Sequence, residues 1–251
     1  MINLKINDKI IKNVGLVIFD KDGTLMDLYH YWSNMVDYRV EFARKRLGFD
    51  LKQKPEIMLA MGGDLANKRL RSDGPVGIKK REIVMAAMED ALLAIGFTDT
   101  HNLCFEVFKE ADEMSLQHLN EIIRPMNGMQ ELIHVLHKRG CSIALATTDK
   151  TGRAKLALGV LGISDKVNII VGEDMIKNYK PHPDMINFIL DKLSVDKVNA
   201  VMVGDAITDI EMGNNAKLKA SIAVLSGITS KEQFTGKTEY IISDISRIVV
   251  V

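Results

Sequence analysis

The sequence predicts an α/β protein built on a Rossmann-like, doubly wound parallel sheet, with a helical domain inserted close to its start. Three observations carry this reading. Short apolar, β-branched runs bounded by turn residues alternate with segments of helical periodicity, as strand–helix–strand units require. Residues 27 to 124 break that alternation with long helical patterns and no strand pattern. Carboxylates stand directly after two of the apolar runs, on the edge where open parallel sheets bind ligands.

Taken in order, VGLVIF (14–19), CSIALAT (141–147), VNIIVG (167–172), NAVMVG (199–204) and ASIAVL (220–225) read as buried strands. Each is short and apolar on both faces, which suits a strand covered on both sides. GMQELIHVLHKRG (128–140), GRAKLALGVLG (152–162) and PDMINFILDKL (183–193) read as the covering helices. The last opens on Pro183, whose missing N–H costs nothing in a first turn. Between 27 and 124 the helical patterns cover 28–48, 78–96 and 102–119. Gly48 and Gly96 end the first two, as left-handed C-caps. The Gly-rich link 61–77 reads as irregular. The expected organisation is therefore an α/β core at 1–26 and 125–251 and an inserted helical cap at 27–124. Pro125 and Gly128 lie in the returning crossing. Ahead of the first strand, MINLKINDKIIKN alternates apolar and polar residues and has no signal-peptide core.

Composition narrows the partners. The chain has 251 residues, 47% apolar and 26% charged, enough for a sizeable core. Lys plus Arg and Asp plus Glu are 33 each, so net charge argues for neither nucleic acid nor an anionic membrane as partner. No apolar run reaches the length of a membrane span. Two cysteines, Cys104 and Cys141, outside any CxxC pair, fit a reduced, cytoplasmic setting. The 14 methionines read mostly as core fillers. A monomer and a homodimer are both compatible with these features.

The acids demand an explanation. Asp20 and Asp22 follow the first run, and GDAITD after the fourth supplies Asp205 and Asp209. Four carboxylates converging on one crevice would repel one another and hold protons. A hard divalent ion relieves this, and Mg²⁺ takes oxygen ligands while keeping positions for water and phosphate. Thr147 and Thr148 end the second run with hydroxyls and N–H groups suited to phosphate oxygens. Lys180 follows the third, and Pro181 biases it towards extended backbone. Cation site, ammonium and donors together describe a phosphate site.

DKDGT (20–24), Thr147, Lys180 and GDxxxD (204–209) resemble, in order, the four motifs of the haloacid-dehalogenase-like hydrolase superfamily. AVLSGITSKEQF (223–234) is similar to the tail of its phosphoglycolate-phosphatase-like branch. The resemblance implies that Asp20 is a nucleophile forming an aspartyl-phosphate, and that Asp22 is general acid and then general base. It implies that Gly23 gives the turn that brings both acids to one phosphate, and that Thr147 and Lys180 hold the transferring oxygens. Asp20, the Asp22 carbonyl and Asp205 would bind Mg²⁺, with Asp209 acting through water or a hydrogen bond to Lys180. Asp22 argues for a phosphate ester rather than a halide as leaving group. The implied substrate is a small phosphorylated metabolite: phosphoglycolate-like, a sugar phosphate or a nucleotide. Phosphotransfer in the manner of the superfamily's mutases and non-catalytic binding of a phosphometabolite are the alternatives. His30 and Trp32 read mainly as packing between helices, with substrate contact as the alternative, Arg69 and Arg71 as solvated or reaching a second anion, and His182 as solvent-facing or capping.

Overall fold

The chain opens with strands β1 (Ile2–Ile6), β2 (Lys9–Val14) and β3 (Leu16–Phe19) in a computed structural model that describes all 251 residues. β1 and β2 are antiparallel, with Ile6 opposite Lys9 across the two residues Asn7 and Asp8. Asn7 takes φ of 52°, a left-handed conformation that Asn tolerates at a tight turn. Two compact units are present, Met1–Asp27 with Ile123–Val251, and Leu28–Ile122.

Leu28–Ile122 is built from helices Leu28–Leu47, Lys54–Ala60, Arg81–Ala94 and His101–Gln117. Gly48 and Gly96 follow two of them with φ of 77° and 97°. Val36, Val40, Met88, Leu92, Cys104 and Phe108 are fully buried within this unit. Buried Arg39 lies 4.1 Å from the Phe108 ring centroid and 4.0 Å from Asp112, so its charge has an aromatic face and a carboxylate beside it. His30 Nε2 is hydrogen-bonded to the Glu121 carbonyl at 2.8 Å, and Trp32 packs edge-on against Tyr31. The expectation that 27–124 contains no strand is overturned by a two-stranded ribbon, β4 (Gly63–Asp64) and β5 (Arg69–Leu70). It lies in the link expected to be irregular. Strands of two residues have no periodicity to detect. In the ribbon Arg69 pairs with Asp64, and just beyond it Arg71 grips Asp73 with two hydrogen bonds of 2.9 and 2.6 Å.

The other unit continues with β6 (Ser142–Ala146), β7 (Ile169–Val171), β8 (Ala200–Gly204), β9 (Ala220–Val224), β10 (Tyr240–Ile242) and β11 (Ile248–Val250). Six strands form a parallel sheet in the order β10-β9-β8-β3-β6-β7. Leu16, Ile18, Ala144, Val171, Ile186 and Met202 belong to one buried cluster beneath it. β3 lies centrally, with Phe19 opposite Leu145 on one side and Val203 on the other. That register sends Asp20, Thr147 and Asp205 off the same edge of the sheet. β10 was not among the expected runs. Nor was the small antiparallel sheet β11-β1-β2, although the alternation of residues 1–13 is a strand signal. No helix is long and apolar enough to cross a membrane. Cys104 and Cys141 are buried thiols.

The core assignment is testable by urea unfolding. Ile18→Ala, at a fully buried position of β3, should lose about 2–5 kcal/mol of stability. Ile10→Ala, 51% exposed on β2, should stay within about 0.5 kcal/mol of the parent.

Candidate active site

Strand ends deliver the charged groups. The Asp20 N–H donates to the Val203 carbonyl at 2.9 Å, so its backbone is tied to β8 just where β3 ends. Lys180 comes from the loop after β7, and its side chain is only 3% exposed. Asn215 Nδ2 donates to the Pro181 carbonyl at 2.9 Å, anchoring that loop to helix Ile207–Asn215. Lys180 Nζ donates to Asp20 Oδ1 at 2.5 Å and pairs with Asp209 Oδ1 at 2.7 Å. Asp209 Oδ2 accepts the Ala206 N–H at 3.0 Å. One oxygen of Asp209 thus caps its helix while the other holds the ammonium.

The charges do not balance. Asp20, Asp205 and Asp209 are all buried, with carboxylate oxygens within 4.8 Å of one another, around the single ammonium of Lys180. Burial pushes the Asp20 carboxyl up to about 6; Lys180 pulls it back, and Asp209 and Asp22 add to the rise. Burial also holds the Asp205 carboxyl well above the usual range, reinforced by the charges of Asp20 and Asp209. Burial alone would lower Lys180, but the two carboxylates beside it raise it above an ordinary lysine.

Asp205 sits in a cradle made of missing side chains. Gly23 has φ of +83°, and a Cβ there would come within 2.5 to 2.9 Å of the Asp205 carboxylate. A Cβ on Gly227 would run into the same carboxylate. Thr24 Oγ1 donates to Asp205 Oδ1 at 3.2 Å, and Ser226 Oγ donates to the Gly23 carbonyl at 2.6 Å. Sequence reasoning did not single out Thr24, Ser226 or Gly227. The signal for the last two was available, because SGIT follows the apolar run of β9, another strand end at this edge.

Thr147 is buried at the end of β6; its N–H donates to the Val171 carbonyl and its Oγ1 accepts the Asp149 N–H at 3.1 Å. Thr148 is exposed. Asp22 is half-buried, and its Oδ1 accepts a hydrogen bond of 2.9 Å from Lys21 Nζ. Lys21 lies between the two acids of the first motif and was also passed over; it is 2% exposed. His182 is half-exposed, with Nδ1 2.8 Å from Asp184 Oδ1.

Comparisons with known proteins identify relatives of this chain. Among curated relatives, Pyrophosphatase PpaX of Halalkalibacterium halodurans is 30% identical over 105 residues, 42% of this chain and 49% of that protein. Phosphoglycolate phosphatase of Xylella fastidiosa is 21% identical over 209 residues, 83% of this chain and 79% of that one. The chain spans about half the length of the PpaX relatives it matches. A crystal structure described as a predicted phosphoglycolate phosphatase from Haemophilus somnus shares the fold, with a TM-score of 0.68 and 19% identity. The match covers 94% of this chain and 96% of that one. A family model for haloacid dehalogenase-like hydrolases matches residues 14–217. Because that match runs from the end of β2 past helix Ile207–Asn215 and takes in Asp20, Thr147, Lys180, Asp205 and Asp209, the chain belongs to the haloacid dehalogenase-like hydrolases.

Proposed function

We propose that this protein is a Mg²⁺-dependent phosphatase that hydrolyses a small phosphorylated metabolite through an aspartyl-phosphate on Asp20. The observation that carries the reading is the buried cluster itself. Three carboxylates share one ammonium, 2.5 Å from Asp20, and burial leaves Asp20 and Asp205 reluctant to ionise. A donor set of hard oxygens with surplus negative charge fits Mg²⁺. Asp20, the Asp22 carbonyl and Asp205 would hold the ion, with Asp209 behind them gripping Lys180. Bound there, Mg²⁺ supplies charge neutralisation to the carboxylates and to the phosphoryl oxygens of the substrate.

The chain's own residues supply the rest. An Asp20 oxygen attacks phosphorus in line with the ester oxygen; the P–O bond breaks and its electron pair passes to the leaving alkoxide. The Asp22 carboxyl gives its proton to that oxygen, so the alcohol leaves neutral. Water then attacks the aspartyl-phosphate and loses a proton to Asp22, and the P–O bond to Asp20 opens to release phosphate. Lys180 and Thr147, with Thr148 at the rim, are assigned to the transferring oxygens, and Gly23 to the turn that aligns both acids. The inserted helical domain is assigned the role of cap, excluding water and selecting the leaving group. Phosphoglycolate-like acids, sugar phosphates and nucleotides are the favoured substrate classes. Membership of the hydrolase family and the relatives named as phosphatases support the reading.

Release of phosphate from p-nitrophenyl phosphate and from a panel of small phosphorylated metabolites tests it. Asp20→Asn should abolish turnover and phosphoenzyme formation; full activity in that variant overturns the mechanism. Asp22→Asn should slow both half-reactions by about 10²–10⁴-fold.

Stability provides a readout independent of turnover. Asp20 and Asp205 hold their protons to higher pH in the folded state than the ordinary value of 3.8. Each therefore lowers stability as pH rises through that interval. In EDTA, Asp205→Asn should melt above wild type, by a margin that grows as pH rises above the ordinary value of 3.8. Added Mg²⁺ should raise the wild-type melting temperature and leave the variant's little changed.

A further inference from the structure

Lys21 lies inside the first motif, yet the reaction just described gives it no task. Its side chain is 3% exposed, and its ammonium lies 2.9 Å from Asp22 Oδ1, 3.4 Å from Asp149 Oδ2 and 3.8 Å from Met26 Sδ. Asp149 is held in turn by the loop after β6. Its N–H donates to Thr147 Oγ1 at 3.1 Å, its Oδ1 accepts the Lys150 N–H at 2.8 Å, and its carbonyl accepts the Glu173 N–H at 3.1 Å. Arg153 Nε stands 3.9 Å from Asp149 Oδ2. A buried ammonium is costly unless its partners are fixed, and here one partner belongs to the phosphate-binding loop and the other is the acid Asp22.

We propose that Lys21, held by Asp149, is a positioning residue that fixes the Asp22 carboxyl and assigns different tasks to its two oxygens. This rests on Asp22 being the acid and base of the phosphatase reading. An ammonium has donors and no acceptor, so the Asp22 oxygen it contacts must accept. The proton that Asp22 transfers is therefore carried on Oδ2. During phosphoryl transfer the Oδ2–H bond breaks and the proton joins the leaving alkoxide as the ester P–O pair moves onto it. Asp149 stands between Lys21 and Arg153 and offsets part of the positive charge beside Asp22. The same link ties the acid to the loop that carries Thr147.

Leaving groups distinguish this role from a merely structural one. p-Nitrophenolate departs without a proton at neutral pH, whereas an alkoxide needs one. The single-turnover phosphorylation rate is therefore measured with p-nitrophenyl phosphate and with the alkyl phosphate turned over fastest in the metabolite panel. Wild type is compared with Lys21→Met and Asp149→Asn, with melting temperatures recorded for all three. Lys21→Met should slow the alkyl ester roughly 10- to 100-fold more than the phenyl ester, the scale expected when a reacting group is displaced. Asp149→Asn should show the same selective loss to a smaller degree. Equal slowing of both esters overturns the role of Lys21 while the phosphatase reading stands. A wild type inert on every ester overturns both. Should Lys21→Met fail to fold, the selectivity of Asp149→Asn, altered in a half-exposed partner, decides the question.

Discussion

One ammonium held between two buried carboxylates sets the terms for the rest of this molecule. Lys180 reaches both Asp20 and Asp209, and neither acid would tolerate its environment without it. A buried ion pair contributes little net stability, since desolvation consumes most of the attraction, but breaking one leaves an uncompensated charge. The sheet edge is arranged accordingly. β3 and β8 fix the Asp20 backbone, helix Ile207–Asn215 fixes Asp209 through its own N-terminal turn, and the Pro181 carbonyl is pinned so that Lys180 arrives between them. Even so, Asp205 is left over. With three carboxylates around one ammonium the ionised site carries two surplus negative charges, and that surplus joins its architecture to the chemistry proposed for it.

The parts of this design visible in the sequence are those where chemistry forces an unusual residue into an unusual place. Apolar runs that stop at an aspartate mark β3 and β8, because a buried strand has no other reason to end in charge. Lys180 and Thr147 were found by their positions after two further runs. Other features were hidden for physical reasons. A lysine flanked by two aspartates reads as a solvated turn, and only burial shows that Lys21 is an interior cation with chosen partners. The Asp205 cradle depends on atoms that Gly23 and Gly227 lack, and Gly227 meets Asp205 only once the chain has folded. The β11-β1-β2 sheet joins residues at opposite ends of the chain, so half of its pairing is invisible to any local pattern. The β4–β5 ribbon is too short to have a period.

The inserted helices follow a different economy. Several of their charged residues are matched inside the unit: Lys54 between Asp37 and Glu41, Arg46 with Glu110, Arg71 with Asp73. Arg39 is buried against Phe108 where an aliphatic side chain would have served packing alone. Nothing in their periodicity names a ligand, which is why the sequence marks candidate chemical groups in the α/β unit and says so little about what they act on.

The place where the chain leaves and re-enters the α/β unit carries a last implication. The Asp27 N–H donates to the Arg124 carbonyl and the Met126 N–H to the Leu25 carbonyl, both at 2.9 Å. The outgoing and incoming strands are therefore clasped side by side, and 95 or so intervening residues hang from a stem no wider than a hairpin. The clasp closes the α/β unit by backbone hydrogen bonds that use no residue of the insert. Lineages could trade one insert for another, or an engineer could splice in a tight turn, without disturbing the register from which the acids project.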